Sequence, residues 1–393
     1  MGSARGDVTE GPLATHPCIP AGILGDAATV TPPSLRTASD ADRRMDMITQ
    51  TEHSALRRAL DLASDPAVPL GPNPRVGCVL LTPDGQVLAE GHHRGAGTPH
   101  AEADALTRAG SDLPAGATAV VTLEPCAHTG RTPPCTDALI AAGVTRVVIA
   151  HRDPNPLATG GIDRLRAAGV DVDLDVPDDL SAEAAALNRG WEHGLQHGRP
   201  LVTAKMALTL DGRIAAADGS SRWITGERAR ARVHEMRAAC DVVLVGAGTA
   251  RIDHPQLTAR LPEGTLHPRQ PLRAVMGTGD IPALPAPTGA AEAVHLRTRD
   301  PQGALSQLFA QGRRHVLLEG GPPLLSAFLA AGMVDELIVH LAPTLLGAGP
   351  AAVTPFGIET IADALRLDLA EVNPLASPDG RTDLELTLRP PPR

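Results

Sequence analysis

The sequence predicts an α/β protein with two domains. Its 393 residues are more than one hydrophobic core usually organises. Short apolar runs alternate with helical patterns along most of the chain, which is typical of sheets covered by helices. The alternation breaks at His197-Gly198-Arg199-Pro200. We therefore expect one domain over residues 46–197 and a second over residues 198–393.

The N-terminal segment, residues 1–45, is rich in Gly, Pro, Ala and Thr and shows no periodicity. It lacks the apolar core of a signal peptide, and its composition provides little apolar surface to bury. We expect a disordered extension. Met45 and Met47 stand just before the first helical pattern, so a start of the protein at one of them is the alternative.

The first domain is predicted to alternate helices and strands. Leu56 and Leu60 fall on one face of a helix, and the apolar run Val76–Leu81 indicates a buried strand. Pro83-Asp84-Gly85 supplies the turn to the next strand. The predicted elements are helix 52–63, strands 76–81 and 87–90, helix 100–108, strand 117–123, a helix from residue 133, strand 146–150, helix 162–168, strand 170–174 and helix 182–193.

The second domain carries a further alternation of strands and helices. Residues 279–301 are rich in Pro, Gly and Ala and predict no element. The predicted elements are strand 201–207, helix 227–238, strands 242–245 and 272–275, helix 304–311, strand 315–318, helix 323–330, strand 336–341 and a closing strand 383–388.

Charge and composition argue against several classes of function. The net charge is −10 without a basic run, which disfavours non-specific nucleic-acid binding. No apolar run approaches the ~20 residues that span a bilayer. Cys78 and Cys240 border apolar strands and are expected to be buried thiols rather than half-cystines. Thiols in an unsecreted chain fit a reducing cytoplasm.

The numbers of lysine and tyrosine residues bear on the mechanism. Lys205 is the only lysine among 35 Lys and Arg residues, and tyrosine is absent. A single lysine in an arginine-rich chain indicates a place that needs a compact ammonium rather than a planar guanidinium, although chance survival is the alternative. A mechanism with a tyrosine proton donor does not apply.

The most informative segments are His100-Ala101-Glu102 and the later pair Cys126 and Cys135. One imidazole and two thiolates are zinc ligands that leave a fourth position for water, whose pKa the metal lowers towards ~7. Cys135 is expected in the first turn of a helix, where a thiolate is favoured. Glu102 can lie near the metal without binding it, as suits a carboxylate that carries a proton to a leaving amine. The pattern predicts a hydrolytic zinc deaminase.

Two other interpretations of these residues remain open. A closed structural zinc site would add His128 to His100, Cys126 and Cys135. The four residues could also be unconnected. A structural site has no use for Glu102, so the sequence favours the catalytic interpretation.

The first half resembles the riboflavin-biosynthesis deaminases in three segments, Gly71–Val79, His100–Glu102 and Pro125–Cys135. General cytidine-type deaminases place two residues between their two cysteines, whereas this chain places eight. The resemblance implies a cytidine-deaminase-like, three-layer α/β/α domain. It also implies one Zn²⁺ per chain, bound by His100, Cys126 and Cys135, with Glu102 as the catalytic proton shuttle.

Two further loops of this half bear on substrate binding. Asn73 could hydrogen-bond a flat heterocycle as a substrate-binding residue, but Gly71-Pro72-Asn73-Pro74 is also a good turn without a ligand. The segment Asp153–Pro156 is similar to the family's next loop, yet about one residue shorter than its usual pattern.

The second half contains glycine turns after buried strands, at Val245–Thr249 and Leu318–Pro322. Backbone N–H groups in such turns can bind phosphate. Gly246-x-Gly248 lacks the third glycine of a dinucleotide fingerprint, so by itself it is better explained as a tight strand-to-helix turn.

Together these segments resemble the reductase half of the same bifunctional family, and the whole resemblance covers about residues 48–390. It implies a dihydrofolate-reductase-like α/β domain with NADPH as cofactor. The residues expected to contact NADPH are Ala207, Trp223, Thr249, Asp253 and Gly321. The residues expected to contact the ribose phosphate substrate are Lys205, Ser221, Arg237, Leu257, Arg260 and Glu319.

The residue types suit these roles. Arg237 and Arg260 could clamp a 5′-phosphate in the forked manner of arginine. Candidates for the group that protonates the sugar ring oxygen are Asp211, Asp253 and Lys205. Asp211-Gly212 is also an ordinary turn, and the chain has His254 where the family often has a second acid.

The resemblance implies a bifunctional riboflavin-pathway enzyme. The first half would hydrolyse the exocyclic 2-amino group of 2,5-diamino-6-ribosylamino-4(3H)-pyrimidinone 5′-phosphate. The second would use NADPH to reduce the ribosyl group of 5-amino-6-(5-phosphoribosylamino)uracil to ribityl. We expect a cytoplasmic homo-oligomer that acts on phosphorylated pyrimidines and binds neither nucleic acid nor membrane.

Three alternatives differ in class. A deaminase with a silent second domain is compatible with the residue types. A nucleic-acid or free-nucleoside deaminase is disfavoured by the acidic charge and the scarcity of aromatic residues for base stacking. A zinc-stabilised interaction protein would leave Glu102 without a role.

Overall fold

The structure is a computed structural model that describes residues 48–110, 113–128, 133–156, 158, 160–291 and 293–391. The extension predicted over residues 1–45, with Met45 and Met47, lies outside the described residues. So do residues 129–132 of the segment between the two cysteine ligands.

The first half forms five strands and five helices within the described ranges. They are α1 (Gln50–Ala63), β1 (Gly77–Leu81), β2 (Val87–His92), α2 (Ala101–Ala109), β3 (Thr118–Val121), α3 (Cys135–Ala141), β4 (Arg146–Ile149), α4 (Gly161–Ala167), β5 (Asp171–Asp173) and α5 (Asp178–His197). The start of α1 is set by Thr49, whose hydroxyl and backbone N–H exchange hydrogen bonds with Glu52 in a capping box.

The first sheet has the order β2-β1-β3-β4-β5, with β1 antiparallel to both β2 and β3 and the last three strands parallel. Its three central strands, β1, β3 and β4, are buried on both faces, as in sheets covered by helices. Leu56 of α1 and Leu180 of α5 pack on one face. Ala105 of α2 and Leu139 of α3 pack on the other, together with α4. The three-layer α/β/α arrangement predicted from the sequence is confirmed.

The second half forms a larger sheet. Its elements are β6 (Leu201–Thr209), α6 (Glu227–Ala238), β7 (Val242–Gly246), α7 (Ala247–Asp253), β8 (Leu272–Met276), β9 (Ala293–Leu296), α8 (Pro301–Ala310), β10 (His315–Leu318), α9 (Pro322–Ala330), β11 (Glu336–Ala342), a 3₁₀ turn (Ile361–Asp363), β12 (Asp368–Ala376) and β13 (Thr382–Arg389).

The second sheet has the order β12-β13-β11-β6-β10-β7-β8-β9. From β11 to β9 all neighbours are parallel, and β13 and β12 add an antiparallel ribbon at one edge. Helices α8 and α9 cover one face with Leu305 and Phe328, and α6 and α7 cover the other with Met236 and Ala250. The carboxyl ends of the parallel strands therefore share one edge, where ligands bind in open α/β sheets.

Besides the short 3₁₀ turn Ile361–Asp363, the structure adds three elements that the sequence did not predict. Strand β9 lies inside the Pro/Gly/Ala-rich segment and spans four residues, too few for a periodic signal. Strand β12 is mostly exposed, so it lacks the apolar alternation that marks a half-buried strand. Helix α7 is a short turn of seven residues after Gly246. Helix α5 is also longer than predicted, beginning at Asp178.

Two expectations from composition can be compared with the described residues. Cys78 and Cys240 are free, buried thiols, as predicted. Across the described ranges, none of the helices combines the length and the apolar character required to cross a bilayer.

Candidate active sites

Three residues from different elements converge at the edge of the first sheet. His100 is the residue before α2, Cys126 follows β3, and Cys135 is the first residue of α3. His100 Nδ1 lies 3.7 Å from Cys126 Sγ and 3.3 Å from Cys135 Sγ. Their ligand atoms all lie within 4.8 Å of one another. One metal ion can therefore reach all three.

The donor set fits zinc. Hydrogen bonding from the Cys135 thiol, with further help from His100, lowers the pKa of Cys126 to about 4. The Cys135 backbone N–H also donates to Cys126 Sγ over 3.4 Å. The neighbouring Cys126 thiolate in turn raises the pKa of Cys135. Two cysteine sulfurs and one imidazole nitrogen thus lie together, and these are ligand types that zinc prefers.

The fourth ligand of a closed structural site is not in place. His128 is exposed and lines the neighbouring pocket, but it does not belong to the group of metal-ligating atoms found among the described residues. That group comprises His100, Cys126 and Cys135 alone. The geometry therefore matches a three-ligand site that leaves a position open, as in catalytic zinc sites.

Glu102 stands beside this group in the first turn of α2 and is 3% exposed. Burial raises the pKa of its carboxyl group above the usual value for glutamate. A carboxylate whose pKa is raised is a better proton acceptor than an ordinary glutamate, which suits a group that takes up a proton and passes it on. The sequence-based placement of Glu102 next to the metal ligands agrees with this geometry.

A pocket of about 210 Å³ opens onto these residues. Asn73 Nδ2 lies 3.0 Å from His93 Nε2, and His93 Nδ1 lies 2.9 Å from the carbonyl oxygen of Pro99. That carbonyl requires a proton on Nδ1, so Nε2 accepts from the Asn73 amide. This hydrogen bond uses the Asn73 amide nitrogen, so the amide oxygen can accept a hydrogen bond from another group. The pocket is further lined by Pro74, Val76, Leu123, Glu124, Asp153, Asn155, Ala158 and Trp191.

Sequence reasoning missed His93 and Trp191 as pocket residues. His93 is one of two adjacent histidines at the end of β2, and this pair was the available signal. Trp191 comes from α5, far along the chain, and no local pattern places it at the pocket.

The shorter loop at Asp153 still reaches the pocket. Glu124 accepts hydrogen bonds from the backbone N–H groups of Asp153 and Ile162, which ties the loop to the end of β3. Burial raises the pKa of Asp153 to about 6. Asp153 and Asn155 both line the pocket, so the shortened loop keeps polar groups there.

A second cavity, of about 200 Å³, lies at the carboxyl edge of the second sheet. Its wall includes Lys205 and Ala207 on β6 and Glu319 directly after β10. Because β6 and β10 are parallel and adjacent, these residues come to the same edge. Thr249, Asp253 and Gly321 also line it, together with Met206, Ile214, Gly320, Pro322, Leu325 and Ala352.

Arg237 of α6 forms a two-pronged ion pair with Glu319, with Nε–Oε1 at 2.6 Å and Nη2–Oε2 at 2.7 Å. The remaining Nη1 donates to the carbonyl oxygen of Thr258 over 3.1 Å. Burial alone would raise the pKa of Glu319, but Arg237 and Lys205 outweigh it and lower the pKa below the usual value. In this structure Arg237 binds the Glu319 carboxylate. To clamp a substrate phosphate, as the sequence predicts, Arg237 would have to release Glu319.

Five of the predicted reductase residues lie outside this cavity wall: Ser221, Trp223, Arg237, Leu257 and Arg260. Ser221 is exposed. Trp223 is 62% exposed, which excludes core packing as its role, and its ring lies 4.6 Å from the Arg230 guanidinium carbon. Leu257 is buried.

Arg260 lines a different cavity, with His234 and Arg269, and it donates to Gly264 and Gln256. The predicted substrate contacts therefore do not share one cavity, and Ser221, Arg237 and Leu257 line neither of these two.

Asp211 is held by its own turn. It accepts hydrogen bonds from the Thr209 hydroxyl and from the backbone N–H groups of Leu346 and Gly347. The Thr209 hydrogen bond is the main reason that the pKa of Asp211 falls to about 2. The carboxylate is therefore ionised at neutral pH, which supports the turn interpretation and disfavours Asp211 as a proton donor.

Comparison with known protein families divides the chain in the same way as the two sites. The family model of the cytidine and deoxycytidylate deaminase zinc-binding region matches residues 49–151. The family model of the RibD C-terminal domain matches residues 200–377.

Individual relatives match across both halves. The riboflavin biosynthesis protein RibD of Mycobacterium tuberculosis is 48% identical over 298 residues, covering 75% of this chain and 86% of that protein. RibD of Escherichia coli is 40% identical over 352 residues, covering 81% and 95%. A crystal structure from Thermotoga maritima, a diaminohydroxyphosphoribosylaminopyrimidine deaminase/5-amino-6-(5-phosphoribosylamino)uracil reductase, is 33% identical with a TM-score of 0.71, covering 87% of this chain and 99% of that one.

Proposed function

The chain belongs to the RibD family of riboflavin biosynthesis proteins, and from that premise we propose which residues carry out its two reactions. It is a bifunctional enzyme, with a cytidine-deaminase-like domain followed by a reductase domain of the dihydrofolate-reductase type. Its cofactors are Zn²⁺ and NADPH. The observation that carries the residue assignment is the cluster of His100, Cys126 and Cys135 beside buried Glu102, at a pocket of about 210 Å³.

In the deaminase domain, His100, Cys126 and Cys135 would hold the zinc ion. Zinc supplies Lewis acidity, which lowers the pKa of a water molecule towards ~7. The reaction forms a carbon–oxygen bond at the ring carbon that bears the exocyclic amine and breaks the carbon–nitrogen bond, releasing ammonia. Glu102 takes the proton from the attacking water and passes it to the departing nitrogen. Its burial beside the ligands supports this role.

Asn73 and His93 would orient the pyrimidine ring. Their mutual hydrogen bond uses the Asn73 amide nitrogen, and both residues line the pocket, so the Asn73 amide oxygen would be the group that accepts from the ring. Asp153 and Asn155, on the loop after β4, also line the pocket and offer further polar contacts. Such convergent polar groups in an otherwise partly apolar pocket give orientation and specificity.

In the reductase domain, Ala207, Trp223, Thr249, Asp253 and Gly321 would contact NADPH. When bound, NADPH would supply a hydride to C1′ of the ribosylamine in its ring-opened imine form, and the imine nitrogen would take up a proton. Lys205 and Glu319 would hydrogen-bond the sugar hydroxyls, and their common position on the cavity wall supports this. Ser221, Leu257 and Arg260 would contact the ribose phosphate, with Arg237 also part of this group through Glu319.

We place the domain boundary at residues 197–198. Helix α5 ends at His197, Gly198 adopts a left-handed conformation with φ of 64°, and β6 begins at Leu201. A glycine in this conformation is a common helix terminator. The proposed domains are therefore residues 46–197 and 198–393.

We also propose that the enzyme is a cytoplasmic homo-oligomer. Leu369 and Val372 are exposed on the edge strand β12, and Leu345 and Ile361 are exposed on the preceding segment. A sheet edge with exposed apolar side chains is a typical self-association surface. Free thiols among the described cysteines fit a reducing compartment.

A coupled assay tests the two reactions together. Purified zinc-loaded protein receives the diaminopyrimidine ribosyl phosphate and NADPH, and ammonia and NADPH absorbance are recorded on one sample. We expect ammonia to appear first and NADPH to fall after it. Ammonia release without NADPH consumption would contradict the roles assigned in the reductase domain.

A further inference from the structure

The loop Gly71–Pro74 places Asn73 in the deaminase pocket, and its outer side lies against the reductase domain. A Cβ atom on Gly71 would lie 2.5 Å from Arg314 Cγ and 2.6 Å from the carbonyl oxygen of Gly312. On the other side of the contact, a Cβ on Gly312 would lie 3.3 Å from Pro72 Cδ. The loop that carries a deaminase residue is therefore in direct contact with the turn that precedes β10.

Several interactions hold Arg314 in place at this contact. Its backbone N–H donates to the buried Asp241 carboxylate over 2.8 Å. Its guanidinium carbon lies 4.0 Å from the centre of the Phe309 ring, and Nη1 donates to the carbonyl oxygens of Phe309 and Arg313, both over 3.1 Å. The side chain is thus held along its length, from the backbone to the guanidinium group.

Helix α5 packs against both the side chain and the backbone of Arg314. A Cβ on Gly194 would lie 3.0 Å from Arg314 Cδ and 3.0 Å from Phe309 Cε2. A Cβ on Gly190 would lie 3.1 Å from the carbonyl oxygen of Arg314. Three glycines of the deaminase domain therefore leave room for one arginine of the reductase domain.

The other end of the loop is held within the deaminase domain itself. Asn188 of α5 accepts from the Arg75 backbone N–H over 2.7 Å and donates to the Arg75 carbonyl oxygen over 3.0 Å. The segment from Gly71 to Arg75 thus has one anchor from each domain, with Asn73 between them.

We propose that Arg314, a residue of the reductase domain, is a positioning residue for the deaminase reaction. By filling the space behind Gly71, it holds the loop so that Asn73 keeps its hydrogen bond with His93 and its place in the pocket. The deaminase site is then incomplete without the domain that follows it. This inference rests on the proposed role of Asn73 in substrate binding.

The test compares Arg314→Ala, Asn73→Ala and a control, Arg297→Ala, in the full-length zinc-loaded protein. Arg297 belongs to the same domain, and its side chain is 67% exposed. Deaminase kinetics are measured by ammonia release, and the reductase is measured separately on its own uracil substrate. Zinc content and thermal unfolding are recorded for every variant.

We expect Arg314→Ala to lower deaminase kcat/KM about tenfold, mainly through a higher KM, because a loop displaced by a fraction of an ångström weakens substrate positioning. Zinc content and reductase activity should stay near those of the wild type, and Arg297→Ala should change nothing. Arg314→Met, which keeps the Cβ–Cγ stem against Gly71, should restore most of the deaminase activity.

Several outcomes would overturn the inference. Unchanged deaminase kinetics in Arg314→Ala, alongside an impaired Asn73→Ala, would refute the role of Arg314 alone. Unchanged kinetics in Asn73→Ala would instead refute the proposed role of Asn73. A parallel fall of both activities in Arg314→Ala and Arg314→Met, with a lower melting temperature, would show that the arginine supports only folding.

Discussion

The two active sites of this enzyme differ in how completely the folded chain assembles them. In the deaminase site, three metal-ligating atoms lie within 4.8 Å of one another and Glu102 is buried beside them. In the reductase site, six of the expected residues line one cavity, Arg260 lines another, and four line neither, among them the largely exposed Trp223. The comparison teaches that a metal site is compact because one ion must touch every ligand, whereas a site for two large ligands extends along a sheet edge.

Loss of the metal should produce the largest difference between the activities of the two sites. Replacing Cys135 by Ser removes a thiolate ligand, and we expect zinc content to fall and ammonia release to drop more than about 10³-fold, since the water loses the activation that zinc supplies. The reductase, given its own substrate, should keep its activity. Metal analysis with the two separate assays checks this, and a parallel loss in the reductase would break the comparison.

Breaking the Arg237–Glu319 pair should affect the opposite site. The two side chains are 15% and 11% exposed, so Arg237→Ala leaves a buried carboxylate without its partner. We expect a loss of about 3–5 kcal/mol in the free energy of unfolding and a strong fall in reductase activity. Thermal or chemical unfolding measures the first effect.

A control on the same helix sharpens this prediction. Arg228 pairs with Glu235, and both side chains are 40% exposed or more. Arg228→Ala should therefore cost less than about 1 kcal/mol. Equal destabilisation by the two variants would contradict a special role for the buried pair.

Replacing Lys205 by Arg tests the single lysine. The ammonium shares a small cavity with Glu319, and a guanidinium is larger and planar. We expect reductase kcat/KM to fall about tenfold while ammonia release is unchanged. If Lys205→Arg leaves both reactions intact, the lone lysine reflects composition rather than function.

Asp211→Asn should have the smallest effect. The asparagine amide oxygen can still accept hydrogen bonds from Thr209 and from the Leu346 backbone N–H, and only the hydrogen bond from Gly347 is lost. We expect reductase kcat to stay within about threefold of the wild type, whereas loss of a general acid costs about 10²–10⁴-fold. Steady-state kinetics with the uracil substrate decide between a turn residue and a proton donor.

The difference between the sites also explains how far the sequence could predict them. His100 and Glu102 are two residues apart at a helix start, and Cys135 begins the next helix, so local spacing placed three of the four deaminase residues. His93 and Trp191 come from a strand end and a distant helix, and only the folded chain brings them to the pocket.

The larger sheet shows a similar limit. Periodicity predicted its buried strands, but not the exposed edge strand β12 or the four-residue strand β9, because neither has a long apolar pattern. The ion pair between Arg237 and Glu319 joins residues 82 positions apart. The family resemblance implied that both residues contact the substrate, but their ion pair depends on the packing of α6 against the sheet.

The most direct test of the central claim uses the variant Glu102→Gln in the coupled assay. The glutamine keeps the size of the buried side chain and cannot carry a proton. The variant should bind zinc normally, release ammonia about 10³-fold more slowly, and consume NADPH at the wild-type rate only when the deaminated intermediate is supplied. Ammonia release at the wild-type rate would contradict the assignment of Glu102 and, with it, the account of the deaminase site.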